Sequence, residues 1–267
     1  MSSTGIFHRR IYNSVAITLL MLMFSLTVKA DILRVAMANV EYPPFYFKDE
    51  AGNWTGVSNN ILQQTVKPLG IELRFNQIPF TRLLIAVEKG EFDVILVLYK
   101  NKERQKMFTY SERPYMSDPN FLLCATPCNH TFDGNLASLK SKTIAVARNY
   151  SYGEAFDKLT SIYRNEIETE ETLFKMLVNK RIDLAIAAKT TIDWSTTLKQ
   201  TPEKFVVMKP AVARENIYFA FSKSFAANKQ RMAALNTSLA NLLGSENYQR
   251  TLRKYHLEEL ATTKSNP

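Results

Sequence analysis

Among the residues of this sequence that could bind or transform a small molecule, Arg104 has the most informative position. It stands just beyond residues 94–98, a continuous β-branched and aliphatic run of the kind buried on both faces of a parallel sheet. Ligands of open α/β sheets sit outside the carboxyl ends of such strands. Tyr99, Lys100, Asn101 and Arg104 leave the run at that end, so a polar, partly basic cluster falls where a crevice is expected. Arg104 is therefore the expected ligand anchor, the alternative being a solvated helix arginine. Arg82 and Arg148 are further cations that could line the cleft or sit on a surface helix and turn. Tyr42 and Phe45 flank Pro43 and Pro44, which hold their segment extended. A ring on such a stiff loop can stack on a ligand or pack onto the core.

Catalytic groups are sparse. After residue 30 the chain has two histidines, His130 and His256, and neither lies next to the expected cleft. The sequence has no GxSxG elbow, no P-loop and no cluster of metal ligands. Glu41 and Glu154 are candidate general acids, although loop carboxylates are usually solvated. Cys124 and Cys128 are the only cysteines. In an oxidising compartment they are expected to close a small disulfide loop, whereas a metal site built on them and His130 would lack a fourth ligand. No metal, cofactor or catalytic residue is expected.

The elements that must position these residues are legible in the periodicity. Residues 32–38 form an apolar-rich first strand. Ser58 is a good N-cap for a helix reaching Lys67, with Leu62, Val66 and Leu69 on one face, and a strand at 71–75 follows. Phe80, Leu83, Leu84 and Val87 recur at i, i+3, i+4 and i+7, the mark of a helix laid on a sheet. Gly90 stops that helix before the 94–98 strand, giving βαβαβ. An extended segment at 121–125 leads to a break at Pro127 and a polar stretch to Asn135, which marks a crossing into a second lobe.

There the alternation restarts with a strand at 143–147, a helix at 151–159, a short segment near Ile162, a helix at 169–179 and a strand at 182–187. AVEKGEFDVILV is echoed by MLVNKRIDLAIA, with Asp93 and Asp183 each just before the aliphatic run. Residues 205–208 suggest another strand, 209–216 a return crossing and 217–221 an extended segment. Two helices close the chain. One carries Met232, Leu235, Leu239 and Leu242; Gly244 ends it, and Ser245 caps the next, which runs to Tyr255. Two crossings and a C-terminal return describe a two-lobed clamp. Lobe 1 spans 31–120 and 214–262, lobe 2 spans 121–213, and 263–267 is a tail. Such a clamp closes by hinge motion around a ligand.

The chain has 267 residues, 46% hydrophobic and 22% charged, ordinary for one or two globular domains. His8, Arg9 and Arg10 precede an apolar run at 15–28, and Val28-Lys29-Ala30 resembles a cleavage site, so residues 1–30 read as a secretory signal peptide cut after Ala30. The run is shorter than the roughly 20 residues needed to span a bilayer. No cysteine follows it, which argues against a lipoprotein. Without Arg9, Arg10 and Lys29 the charge falls from +9 to +6. The basic residues are scattered, which leaves room for an anionic ligand and gives no support to nucleic acid as a partner.

The motifs YPPFYFKDEAGNWTGV, EKGEFDVILV and NKERQKMFTYSERPY, in this order in an exported chain, resemble the bacterial extracellular solute-binding protein family 3, the polar amino acid binders of ABC transporters. The resemblance covers essentially all of the chain after residue 30. It implies an α/β periplasmic-binding-protein fold of type II, each lobe a sheet flanked by helices and joined by two hinge crossings. It also implies a periplasmic monomer that presents a small-molecule ligand to a membrane permease or, alternatively, to a membrane receptor. Arg104 matches the arginine that binds the ligand's α-carboxylate. Tyr42 and Phe80 match the aromatic pair that sandwiches the ligand, and Arg148-Asn149-Tyr150-Ser151 matches the second-lobe loop that offers backbone N–H and a hydroxyl at a helix N-terminus. Tyr99 stands where the family has a small hydroxyl residue. Ala188 falls where amino acid binders have the aspartate that pairs with the α-ammonium, so the resemblance leaves the ligand open between an amino acid and another carboxylate. A dehydratase acting on a cyclic carboxylate shares the fold and is the catalytic alternative.

Overall fold

The computed structural model describes residues 31–262, so the expected signal peptide and the 263–267 tail lie outside the described residues. β1 (Asp31–Ala38) is followed by a two-strand hairpin, β2 (Phe47–Lys48) and β3 (Trp54–Thr55), then α1 (Val57–Val66), β4 (Ile71–Ile78), α2 (Phe80–Glu88) and β5 (Val94–Tyr99). β5 pairs in parallel with β1, Val35 opposite Val94. Leu83 and Val87 of α2 are buried while Phe80 and Leu84 pack half-covered beside them, which is the face that the apolar spacing predicts. α3 (Lys102–Met107) and β6 (Phe108–Tyr110) follow.

Two ten-residue strands carry the chain between lobes. β7 (Met116–Ala125) and β12 (Ala213–Ser222) pair antiparallel from Met116 opposite Ile217 to Asn120 opposite Ala213. Beyond that stretch β12 continues against β5 and β6, whereas β7 continues against β10 (Leu184–Ala188) and β11 (Phe205–Val207). Between them in sequence lie β8 (Thr143–Ala147), α4 (Glu154–Asp157), β9 (Tyr163–Ile167) and α5 (Glu170–Val178). One ten-stranded sheet results, ordered β4-β1-β5-β12-β7-β10-β8-β9 with β6 and β11 at its margins. The apolar cores divide accordingly. One pair of clusters draws on β1, β5, β12 and the C-terminal helices α9 (Lys229–Leu243) and α10 (Glu246–Lys254), and the other on β7, β8, β10 and α5. The fold is the two-lobed α/β type II arrangement, with both crossings made by continuous strands.

The structure corrects some local expectations. α1 begins at Val57 with Gly56 as its N-cap, and Ser58 is buried with its hydroxyl 2.7 Å from the Tyr115 hydroxyl. The helix expected over 151–159 shrinks to α4, because Gly153 at φ 109° lies outside helical backbone and Ser151 and Tyr152 ahead of it are in neither helix nor strand. Two short helices after β10, α6 (Lys189–Trp194) and α7 (Thr196–Gln200), carry no apolar periodicity long enough to announce them; α8 (Lys223–Ala226) is a further single turn. The echoed segments both form helix, turn and strand, and the turn residues Gly90 and Lys180 share left-handed φ of 78° and 56°. Cys124 and Cys128 are joined in a disulfide.

Gly56 fixes the loop that carries Tyr42. Its φ is 116°, and a Cβ there would lie 2.3 Å from the Phe45 carbonyl oxygen. The N–H of Val57 donates to Pro44 O at 2.8 Å and that of Ser58 to Phe45 O at 3.1 Å, so helix start and loop are one unit. Gly56→Ala should therefore lower stability by about 1–3 kcal/mol, measured by denaturant unfolding; an unchanged midpoint would show that the loop relaxes freely.

Candidate functional site

Arg104 lies in the first turn of α3, which Asn101 caps by accepting the Arg104 N–H on its side-chain oxygen at 2.9 Å. The side chain is 8% exposed. Nη1 donates to the Tyr99 carbonyl at 3.1 Å and Nη2 to the Asn149 carbonyl, in the other lobe, at 2.9 Å. Two of its five donors are thus engaged and the rest are left for another acceptor. Both engaged partners are neutral carbonyls. Burial lowers the pKa of Arg104, but an arginine remains charged at any physiological pH. Beside it is a cavity of about 60 Å³ lined by residues of both lobes.

Two further polar side chains reach this cavity. Asn120, fully buried at the point where β7 leaves β12, has no partner for either Oδ1 or Nδ2 among the described residues. Glu170, 7% exposed at the start of α5, accepts from the Thr191 hydroxyl at 3.1 Å on Oε1, while Oε2 is unpaired among the described residues. Burial pushes the Glu170 carboxyl up to about 7, the hydroxyls of Tyr42 and Thr191 pull it partly back, and nearby Asp118 adds a smaller upward push. Asp118 is itself buried, its carboxyl raised to about 7 by that burial, and it accepts a hydrogen bond from the Thr190 hydroxyl. A buried polar atom left unpaired costs about 1–3 kcal/mol. Three such atoms facing one cavity, with a buried cation beside them, make a site built to be completed by a polar ligand.

Tyr42, Phe80, Tyr99, Tyr150 and Ser151 also line this cavity, as does Ala188. The Ser151 hydroxyl is committed to the Asp157 carboxylate, so it is not free in the way a helix-start hydroxyl would be. Arg148 lies instead on a wider groove of about 670 Å³, half-exposed and paired with Glu168 at 2.8 Å and Glu166 at 3.7 Å. Arg82 is exposed on α2 and lines neither space; nothing in the geometry brings it to a ligand. Asn120, Tyr152 and Glu170 escape sequence reasoning. Glu170 sits in Thr169-Glu170-Glu171, where the Thr169 side chain caps α5 and acidic residues suit the helix start, and that local role conceals the other one.

The raised carboxyl has a consequence for stability. It costs the fold nothing below its ordinary 4.5, an increasing amount as pH rises toward about 7, and a constant penalty of about 3 kcal/mol above that. Glu170→Gln should therefore stabilise the ligand-free protein at pH 8 and leave it nearly unchanged at pH 4, as read by thermal unfolding. Equal effects at both pH values would contradict a raised carboxyl.

Residues 33–258 match the family described as bacterial extracellular solute-binding proteins, family 3. The chain is similar to the L-cystine-binding protein TcyJ of Bacillus subtilis, 24% identical over 68% of this chain and 70% of that protein. Its fold is similar to that of an ancestral arginine-binding protein bound to arginine, with TM-score 0.70 and 21% identity over 84% of this chain and 97% of the other. It is also similar to an ancestral amino acid-binding protein described as a precursor of cyclohexadienyl dehydratase, with TM-score 0.69 and 21% identity over 85% and 96% of the two chains. With two lobes joined by paired strands and a family match over most of its length, this chain belongs to the bacterial extracellular solute-binding proteins of family 3.

Proposed function

We propose that the protein binds a small zwitterion of the α-amino acid type between its lobes in the periplasm and presents it to an ABC permease. The observation that carries this reading is the pairing of opposite, incompletely satisfied charges on one cavity: Arg104, held by two carbonyls, and Glu170, with a free carboxylate oxygen. Arg104 would take the carboxylate in a charge-assisted contact. Glu170 would take the ammonium, which supplies the counter-charge that Ala188 does not. Asn120 offers a donor and an acceptor between the two. Similarity to cystine- and arginine-binding proteins supports the class of ligand.

Closure has its own contacts. Lys102 meets Glu154 at 3.2 Å and Lys189 meets Glu259 at 3.0 Å, each joining segments on opposite sides of the β7–β12 pair. The Trp194 ring lies 6.0 Å from Phe47 and 6.3 Å from Tyr255. These exposed ion pairs contribute little individually, so the ligand's own charges supply the main bias toward closure.

The Glu170 carboxyl also favours a second reading. A buried acid with a pKa of about 7 is half protonated at neutral pH, the state suited to protonating a departing hydroxyl in a dehydration. Mass spectrometry separates the two: a binding protein returns its ligand unchanged, an enzyme releases a product.

Calorimetry with a panel of amino acids and simple carboxylates tests the binding reading. For a zwitterion, affinity should fall as pH drops below about 7, because Glu170 must lose its proton to meet the ammonium, and Glu170→Gln should weaken binding and flatten that dependence. Affinity that instead rises as pH drops, for a ligand without an ammonium, would identify a plain anion and overturn the zwitterion.

A further inference from the structure

The geometry points to Tyr150 as the residue that sets ligand length, by standing between the anchored end of the site and the wider groove. This rests on the reading that Arg104 holds a carboxylate. The Tyr150 ring lies 5.4 Å from Phe80, tilted by 60°, and 6.2 Å from Tyr42, nearly edge-on at 86°. Phe80 and Tyr42 are thus packed against a ring of the protein's own chain. Tyr150 borders both the 60 Å³ cavity and the 670 Å³ groove, together with Tyr42, Phe80 and Glu170. These shared residues are the wall between the two spaces.

The backbone behind the ring is pinned. Asn149, at φ 63°, gives its carbonyl to Arg104, and the Tyr150 N–H donates to Ala147 O at 3.1 Å. Gly153, three residues on, passes so close to β12 that a Cβ would lie 2.8 Å from Ala213 and Glu215 side-chain atoms. A loop fixed at both ends holds the ring in place, and only side-chain rotation can remove it. The same carbonyl that orients Arg104 therefore belongs to the residue preceding the partition, which couples anchor and wall.

The volume gives the consequence. At about 10–15 Å³ of such space per water, a 60 Å³ cavity accommodates about four to six water-sized groups. That matches a glycine- or alanine-sized molecule, and a longer side chain directed toward the groove would meet the seated Tyr150 ring. Beyond the wall the groove has ample room, so removing the ring should join the two spaces and shift preference toward longer ligands without touching the anchor.

The test is a length profile by calorimetry, using the straight-chain amino acids from glycine through alanine and norvaline to norleucine, and in parallel acetate through hexanoate. The wild type should bind the shortest members best and norleucine or hexanoate about tenfold or more weaker, as expected for forcing extra methylenes into a filled space. Tyr150→Ala should invert the order, Tyr150→Leu should give an intermediate profile, and Tyr150→Phe should keep the wild-type one, since the ring and not the hydroxyl forms the wall. A wild type that binds norleucine as well as glycine overturns the proposal even if every variant misfolds. Parallel profiles in wild type and Tyr150→Ala also overturn it, while leaving Arg104 as anchor. Binding of no member of either series to any of these proteins would remove the carboxylate reading, and the partition with it.

Discussion

A buried guanidinium that meets only carbonyl oxygens is the constraint on which the rest of this structure depends. Taking a charge out of water is expensive unless it is paired. Arg104 is oriented by the Tyr99 and Asn149 carbonyls, which satisfy donors but not charge. Because those carbonyls come from opposite lobes, the residue that needs an anion is also a link across the cleft. Binding and closure are then one event: the anion that stabilises Arg104 also favours the lobe arrangement in which Asn149 reaches it.

The elements near Arg104 keep it placed and buried. Asn101 starts α3 so that Arg104 falls in the first turn, and β5 ends at Tyr99 so that its last carbonyl points at the guanidinium. Tyr110 donates from its hydroxyl to the same Tyr99 carbonyl at 3.2 Å. On the far side, α5 brings Glu170 to the cavity while β7 brings Asn120, so the three polar groups arrive from lobe 1, lobe 2 and the crossing between them. A site divided in this way exists only when the lobes meet.

The part of the fold that was legible is the part governed by local pattern. The α2 face and β5 follow from apolar spacing and an aliphatic run, whereas the crossings, expected at the Pro127 break and over 209–216, are made by the paired strands β7 and β12. Arg104 was legible because a strand end and its following turn are adjacent in sequence. Glu170 was not, since Thr169-Glu170-Glu171 is a complete helix-start signal in itself, and the burial of its carboxyl beside Thr191 and Tyr42 is tertiary. Asn120 was hidden because it falls just before the expected 121–125 segment, and its exceptional feature, an unpaired side chain within β7, is tertiary. Ser58 and Ser151 show the converse. Both read as helix-start residues, yet Gly56 and Gly153, each at positive φ, begin those helices elsewhere, and the hydroxyls go to Tyr115 and Asp157.

The most direct measurement is the affinity of Arg104→Ala, by calorimetry, for whichever amino acid or carboxylate of the panel binds the wild type most tightly. Two charge-assisted hydrogen bonds lost from a buried site should weaken binding by about a hundredfold or more, with Arg104→Lys recovering part of the loss because it restores charge without the fork. An Arg104→Ala protein that folds normally and binds that ligand as well as the wild type would contradict the account.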